Sequence, residues 1–249
     1  MSAADIQSIE RFHLLFLDQL GRRLDKKMYA LKGGCNLRFF WKSIRYSEDI
    51  DFDVHTVAKH TLQKNVDQIL KSTGFEQILR SQKLQLIEFS ASKQTDTTQR
   101  WKVHLRPPSG AHLPTKIEFS RRKFDPGIVF GSVDAEILTS YNLRPLIATH
   151  YNLETASAQK VQALIGRKET QARDVFDLAF LFERGAKGSA IKLDKENLAK
   201  AREVALSVPF DQYQSQVVAY LPPEYQDHYG TGKAWDTLQG NVIRVLKKI

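Results

Sequence analysis

In the stretch DIDFDV, Asp49, Asp51 and Asp53 alternate with Ile50, Phe52 and Val54. An extended chain sends alternate side chains to opposite faces, so this spacing predicts a strand with one apolar face and one face of carboxylates. Carboxylates two residues apart on a strand sit about 6.6 Å from each other. Each such pair repels by roughly 2–3 kcal/mol at an intermediate effective dielectric. A divalent cation offsets that repulsion, and Mg²⁺ takes a few carboxylate oxygens together with substrate phosphates. Upstream, Gly33 and Gly34 stand between MYAL and CNLRFFWKS. Glycines let the backbone approach a ligand closely, and a helix N-terminus offers free N–H groups and positive dipole to phosphate. A phosphate cradle followed by paired carboxylates is the equipment of nucleotidyl transfer. TKIEFS offers a third acid, Glu118, between Ile117 and Phe119. It joins the aspartates where its strand neighbours theirs, and otherwise is a surface glutamate paired with Lys116 or Arg121. Asp53 reads as peripheral.

The elements that must position these groups follow from periodicity. Ile9, Phe12, Leu15, Phe16 and Leu20 give residues 4–24 a helical stripe. MYAL predicts a short strand, CNLRFFWKS a short helix, and residues 56–73 a helix ended near Gly74. KLQLIEFS, RWKVHLRP and TKIEFS predict strands, with QTDTTQ as a hairpin loop and SVDAEILTSY as a further strand. From Leu153 onward helices are predicted over 153–166, 170–184, 194–206 and near 233–248, with a loop from Leu221 to Trp235. The expected fold class is α+β, with a mixed sheet and flanking helices over residues 1–145 and a helical part over 146–249.

Bulk properties narrow the setting. The 249 residues contain no run of eighteen apolar positions, so no membrane span is expected. The N-terminal stretch reads as an amphipathic helix and not as a signal peptide. A single cysteine, Cys35, excludes an intrachain disulfide framework and fits a reducing, cytoplasmic compartment. The formal net charge of +9 fits a polyanionic partner such as RNA. Arg100, Lys102, Arg106, Lys116, Arg121, Arg122 and Lys123 fall close together, with Glu118 the one acid among them, and predict a basic patch. The seven histidines show no metal-binding spacing and read as ordinary polar positions.

GGCNLRFFWKSIRYSEDIDF resembles the first motif of the AbiEii/AbiGii toxin family of nucleotidyltransferases, within the DNA polymerase beta superfamily. The matching positions are Gly33, Gly34, Arg45, Ser47, Asp49, Asp51 and Phe52. A second resemblance lies in KVQALIGRKETQARDVFDL, through Lys160, Ala163, Leu164, Arg167, Arg173, Asp174, Asp177 and Leu178. The family usually carries Ser or Thr where this chain has Cys35, whose thiol is a weaker donor to phosphate.

The resemblance implies a polymerase-beta-like fold. Asp49, Asp51 and Glu118 are expected to hold Mg²⁺, or Mn²⁺ in its place, and Glu118 to draw the proton from the attacking hydroxyl. Gly33, Gly34, Cys35, Arg45, Ser47, Lys160, Arg167 and Asp177 are expected on the nucleotide. Asp174 or Asp177 is expected at the site, through Lys160, water or metal. Read from the residues alone, Lys160 and Arg167 are seven apart and share a helix face beside Val161, Leu164 and Ile165, while Arg173 and Asp177 can pair at i,i+4. The implied activity is transfer of NMP from an NTP to an RNA 3′ end, with tRNA the leading case, by a toxin that has a separately encoded antitoxin. The alternatives are a protein or small-molecule acceptor, or a nucleotide- or RNA-binding protein without catalysis.

Overall fold

The computed structural model describes residues 2–122, 124–188 and 191–249, so Lys123 of the basic cluster lies outside the described residues. The chain divides into two units. One comprises Met1–Lys42 with Tyr46–His150, the other Ser43–Arg45 with Tyr151–Ile249.

In the first unit, helix α1 (Ala3–Arg23) starts at a capping box. Ser2 Oγ accepts from the Asp5 N–H, and Asp5 Oδ2 accepts from the Ser2 N–H. The predicted stripe of α1 is buried. Strand β1 (Tyr29–Lys32) leads directly into α2 (Gly33–Trp41), and β2 (Ile50–Val54) follows. Two helices, α3 (Lys59–Leu70) and α4 (Thr73–Ser81), precede the long strands β3 (Gln85–Gln94), β4 (Thr98–Arg106) and β5 (Leu113–Ser120). β6 (Ile128–Ser132), α5 (Ala135–Ser140) and β7 (Ile147–Tyr151) complete the sheet, whose strand order is β3-β4-β5-β2-β1-β7-β6. The sheet is mixed. β2 runs antiparallel to β1 and parallel to β5, and β3, β4 and β5 form an antiparallel meander.

Alternation splits the meander into two faces. Trp101, Val103, Leu105, Ile117 and Phe119 are buried in the same core as α1, α3 and α4. Phe12 of α1 meets Phe75 of α4, and Phe16 meets Phe52 of β2. The opposite face carries Arg100, Lys102, His104 and Arg106 on β4 and Lys116 and Glu118 on β5, all partly or fully exposed. The basic cluster therefore follows from strand parity: every second residue of β4 faces outward.

Several expectations are corrected. The helix predicted over 56–73 is two helices. The chain breaks after Leu70, and Ser72 caps α4 by accepting from the Phe75 N–H, so Gly74 lies inside a first helical turn and does not end a helix. SVDAEILTSY folds as α5, because Asp134 Oδ1 accepts from the N–H groups of Glu136 and Ile137 and starts a helix there. β6 and β7 were not predicted. β6 exposes Ile128, Val129 and Phe130 in succession, so it shows no alternation, while β7 buries Thr149 and His150 by giving them distant partners. The hairpin at QTDTTQ forms as expected, closed by Gln94 and Gln99.

The second unit holds α6 (Leu153–Gly166), α7 (Ala172–Glu183), α8 (Lys195–Ser207), α9 (Phe210–Gln216), α10 (Pro223–Tyr229) and α11 (Gly232–Leu246). Its core gathers Val161, Leu164, Val175, Leu178, Val242 and a Tyr213–Trp235 stack with ring centroids 4.3 Å apart. The predicted loop from Leu221 to Trp235 contains α10. Pro223 sits in its first turn, where a missing N–H costs nothing, so the Pro-Pro pair starts a helix. No helix among the described residues is long and apolar enough to cross a membrane.

Phe52 links core and site, since it stands between Asp51 and Asp53. It is fully buried, with ring centroids 4.8 Å from Phe119 and 5.7 Å from Tyr29. Phe52→Ala is expected to destabilise the fold by about 3–5 kcal/mol in urea unfolding; a loss under ~1 kcal/mol would contradict this packing.

Candidate functional site

The turn from β1 into α2 is built around Gly33. Its φ is +67°, in the left-handed region. A Cβ at this position would lie 3.1 Å from Asp51 Oδ2. Glycine is therefore required twice, for backbone conformation and for the close passage of Asp51. Lys32 precedes α2 and gives it no side-chain cap.

The parallel register of β2 and β5 pairs Asp51 with Glu118. Directly opposed residues share a face, so the two carboxylates project from one side of the sheet. Asp49 lies one residue before the strand and is held at its mouth. Its Oδ1 accepts from the Lys116 backbone N–H at 3.0 Å, and its Oδ2 from Lys116 Nζ at 3.1 Å. Glu118 Oε2 accepts from Arg100 Nε at 2.6 Å, its cross-strand neighbour, and not from Lys116 or Arg121. Asp53 is buried against Lys32 Nζ at 2.6 Å, which keeps it peripheral. Carboxylate repulsion at Asp49, Glu118 and Asp53 is thus offset by three protein cations. Among the described residues Asp49, Asp51 and Glu118 do not all lie within 4.8 Å of one another; Glu88, His104 and His112 bring three donors that close. Three carboxylates are nevertheless the oxygen-only donor set that suits Mg²⁺ or Mn²⁺.

A buried polar string fixes the approach to β2. Ser47 Oγ donates to the Asp49 carbonyl at 2.8 Å, and Cys35 Sγ donates to the same oxygen at 3.3 Å. Thr115 Oγ1 donates to the Glu48 carbonyl at 2.7 Å, so it accepts from His13 Nε2, 2.8 Å away. Burial lowers the His13 imidazole to about 3, so the ring is neutral. Cys35 is buried, its Sγ 3.6 Å from His13 Nδ1, and burial pushes the thiol well up. His13 was read as an ordinary polar position. Its place on the apolar stripe of α1, four residues after Ile9 and three before Phe16, was the signal that it points inward.

The second unit holds an alternating chain of charges. Arg45 donates in two parallel bonds to Asp177, Nε to Oδ1 at 3.0 Å and Nη2 to Oδ2 at 2.9 Å. Lys160 Nζ lies 2.6 Å from Asp177 Oδ2 and 3.1 Å from Asp174 Oδ1. Arg167 Nε closes the chain on Asp174 Oδ2 at 2.7 Å. Both aspartates therefore hold Lys160. Arg167 does not reach this cluster along a helix face: α6 ends at Gly166, and Arg167 is its extended cap residue, folding back onto Asp174. Burial pushes the Asp177 carboxyl up, but Arg45 and Lys160 outweigh it and hold it at about 2. Arg45, Asp174 and Asp177 are buried, while the Arg167 side chain is 40% exposed.

The model of the AbiEii nucleotidyl transferase toxin of type IV toxin–antitoxin systems matches residues 15–226, and the chain belongs to that family. It is a toxin nucleotidyltransferase of the kind found in toxin–antitoxin systems. No curated protein matches the sequence. Among solved structures it is similar to MenT4, a nucleotidyltransferase toxin from Mycobacterium tuberculosis H37Rv, with a TM-score of 0.71 and 15% identity over 99% of this chain and 85% of that one. JHP933 from Helicobacter pylori gives a TM-score of 0.59 and 18% identity, covering 100% of this chain and 95% of that one. At these identities the likeness is one of fold.

Two outcomes follow from the local geometry. Asp177→Asn leaves the buried Arg45 without its anionic partner and is expected to cost about 3–5 kcal/mol in chemical denaturation. Because the folded-state value of Asp177 is depressed, its stabilising contribution is present above the unfolded value near ~4 and is lost as pH falls toward ~2. The variant should lack that part of the acid-unfolding profile, and an unchanged profile would contradict the network. Gly33→Ala is expected to cost about 1–2 kcal/mol from backbone conformation alone, in addition to displacing Asp51; wild-type stability in this variant would contradict the assigned geometry.

Proposed function

We propose that the chain is a metal-dependent enzyme that transfers NMP from an NTP to the 3′ end of RNA, with tRNA as the acceptor, and that it acts as a toxin in the cytoplasm beside a separately encoded antitoxin. The observation that carries this reading is the register that sets Asp51 beside Glu118 on the open sheet face, within reach of Gly33. In this reading the first unit forms the transferase domain, and the second the helical domain that contributes Lys160 and Asp174.

Gly33, Gly34 and the first N–H groups of α2 hold the nucleotide phosphates, and Cys35 supports this turn from the buried side. Asp49, Asp51 and Glu118 hold Mg²⁺ or Mn²⁺, which when bound stabilises the attacking and leaving oxygens of an in-line displacement. Lys116 and Arg100 hold Asp49 and Glu118 and would yield those two contacts to a bound ion. Glu118 accepts the proton of the acceptor 3′-hydroxyl as its oxygen bonds to the α-phosphorus, and pyrophosphate leaves with the bond to the α-phosphorus broken. Ser47 fixes the position of Asp49 through its carbonyl. Lys160 supplies a charge contact to phosphate, with its ammonium aimed by Asp174 and Asp177, and Arg45 and Arg167 hold those two aspartates in place. The net charge of +9 and the outward row of Arg100, Lys102 and Arg106 support a polyanionic acceptor.

Incubation with each labelled NTP, Mg²⁺ and total RNA tests the reading. Wild type is expected to label RNA, chiefly tRNA. Asp51→Asn should lower transfer at least ~100-fold, beyond the cost of losing a group that only orients a ligand. Undiminished transfer by Asp51→Asn, or label on protein or a small molecule in place of RNA, would overturn it.

A further inference from the structure

His104 of β4, His112 just before β5 and Glu88 of β3 form a cluster that the transfer reaction does not use. One donor atom from each can be chosen so that all three lie within 4.8 Å of one another. His104 Nδ1 and His112 Nδ1 are 3.3 Å apart. Two nitrogens each bound at about 2.0–2.1 Å to a tetrahedral zinc ion are separated by about 3.3–3.4 Å. The two ring nitrogens thus stand at the separation that such an ion requires, and a small ring rotation would turn both toward it. Glu88 Oε1 lies 3.8 Å from His104 Nε2, and its side chain is 67% exposed, free to swing onto the ion or to fix the His104 ring.

The backbone brings Glu88 there by a specific irregularity. Leu86 pairs with Leu105, but Glu88, not Ile87, pairs with His104, so the register shifts by one residue between them. A bulge of this kind turns a different side chain toward the partner strand. Without it, Ile87 would face His104 and the carboxylate would point away. Edge-strand register and the closeness of the two rings therefore converge on one spot.

We infer that Glu88, His104 and His112 form a site for a borderline divalent ion such as Zn²⁺, clipping the edge strand β3 to β4 and to the start of β5. Two imidazole nitrogens favour zinc-type ions over Mg²⁺, the reverse of the carboxylate set at Asp49, Asp51 and Glu118. The sites are distinct. His104 lies four residues along β4 from Arg100, the partner of Glu118, or about 13 Å away on the same face. The fourth position of a His₂-carboxylate ion is open to water or to an exogenous ligand.

Calorimetric titration of tag-free protein with Zn²⁺ alone tests the inference. Wild type is expected to take up one ion that a large excess of Mg²⁺ does not displace, and to shift the ¹⁵N resonances of the His104 and His112 ring nitrogens. His104→Ala and His112→Ala should each weaken that binding more than ~10-fold, while Asp51→Asn leaves it unchanged. His112 is exposed and His104 half-buried, and unchanged circular dichroism establishes that the variants fold. Absence of zinc binding by wild type, equal binding by the histidine variants, or loss of binding in Asp51→Asn would each overturn the assignment.

Discussion

The pairing of Asp51 with Glu118 across two parallel strands is the constraint on which the rest depends. These residues are far apart in sequence, and only register brings them to one face. A slip of one residue would turn Asp51 into the core and Phe52 outward. The core prevents that slip. Ile50 and Phe52 are fully buried, as are Ile117 and Phe119 beside them, and the Phe52–Phe119 stack spans the same pair of strands. Apolar packing on one face thus fixes the placement of acids on the other.

Charge balance at the acids comes from their immediate surroundings. Lys116, Arg100 and Lys32 bond to Asp49, Glu118 and Asp53 in turn. The first two cations share the outward face with the carboxylates they touch. Lys32 covers the buried Asp53, and this pair serves the fold. In the second unit, the same logic of alternating sign gives a denser result. Arg45, Asp177, Lys160, Asp174 and Arg167 form one chain in which each aspartate has two cationic partners. Arg45 and Lys160 keep the buried Asp177 carboxylate ionised, and both aspartates bond the Lys160 ammonium.

Much of this was legible from the sequence because the signals were local. The DIDFDV alternation, the Gly-Gly pair and the helical stripe of α1 each depend on neighbours within a few residues. The family motifs marked Lys160, Asp174 and Asp177, although not their mutual bonding. What was not legible depended on distant partners. His150 and Thr149 are buried in a strand because Asn36 and Lys26 satisfy them. His13 is tied to Thr115, about a hundred residues away. Asp134 and the Pro222–Pro223 pair misled for the opposite reason, since residues that punctuate loops also start helices.

The central claim is that Asp49, Asp51 and Glu118 act together as one oxygen-ligand set. Titration of ¹⁵N-labelled protein with paramagnetic Mn²⁺ reads this directly. The account predicts that amide resonances of residues 49–52 and 116–119 broaden first and together, and recover when excess Mg²⁺ is added. Broadening that begins elsewhere and leaves those two segments sharp would contradict it.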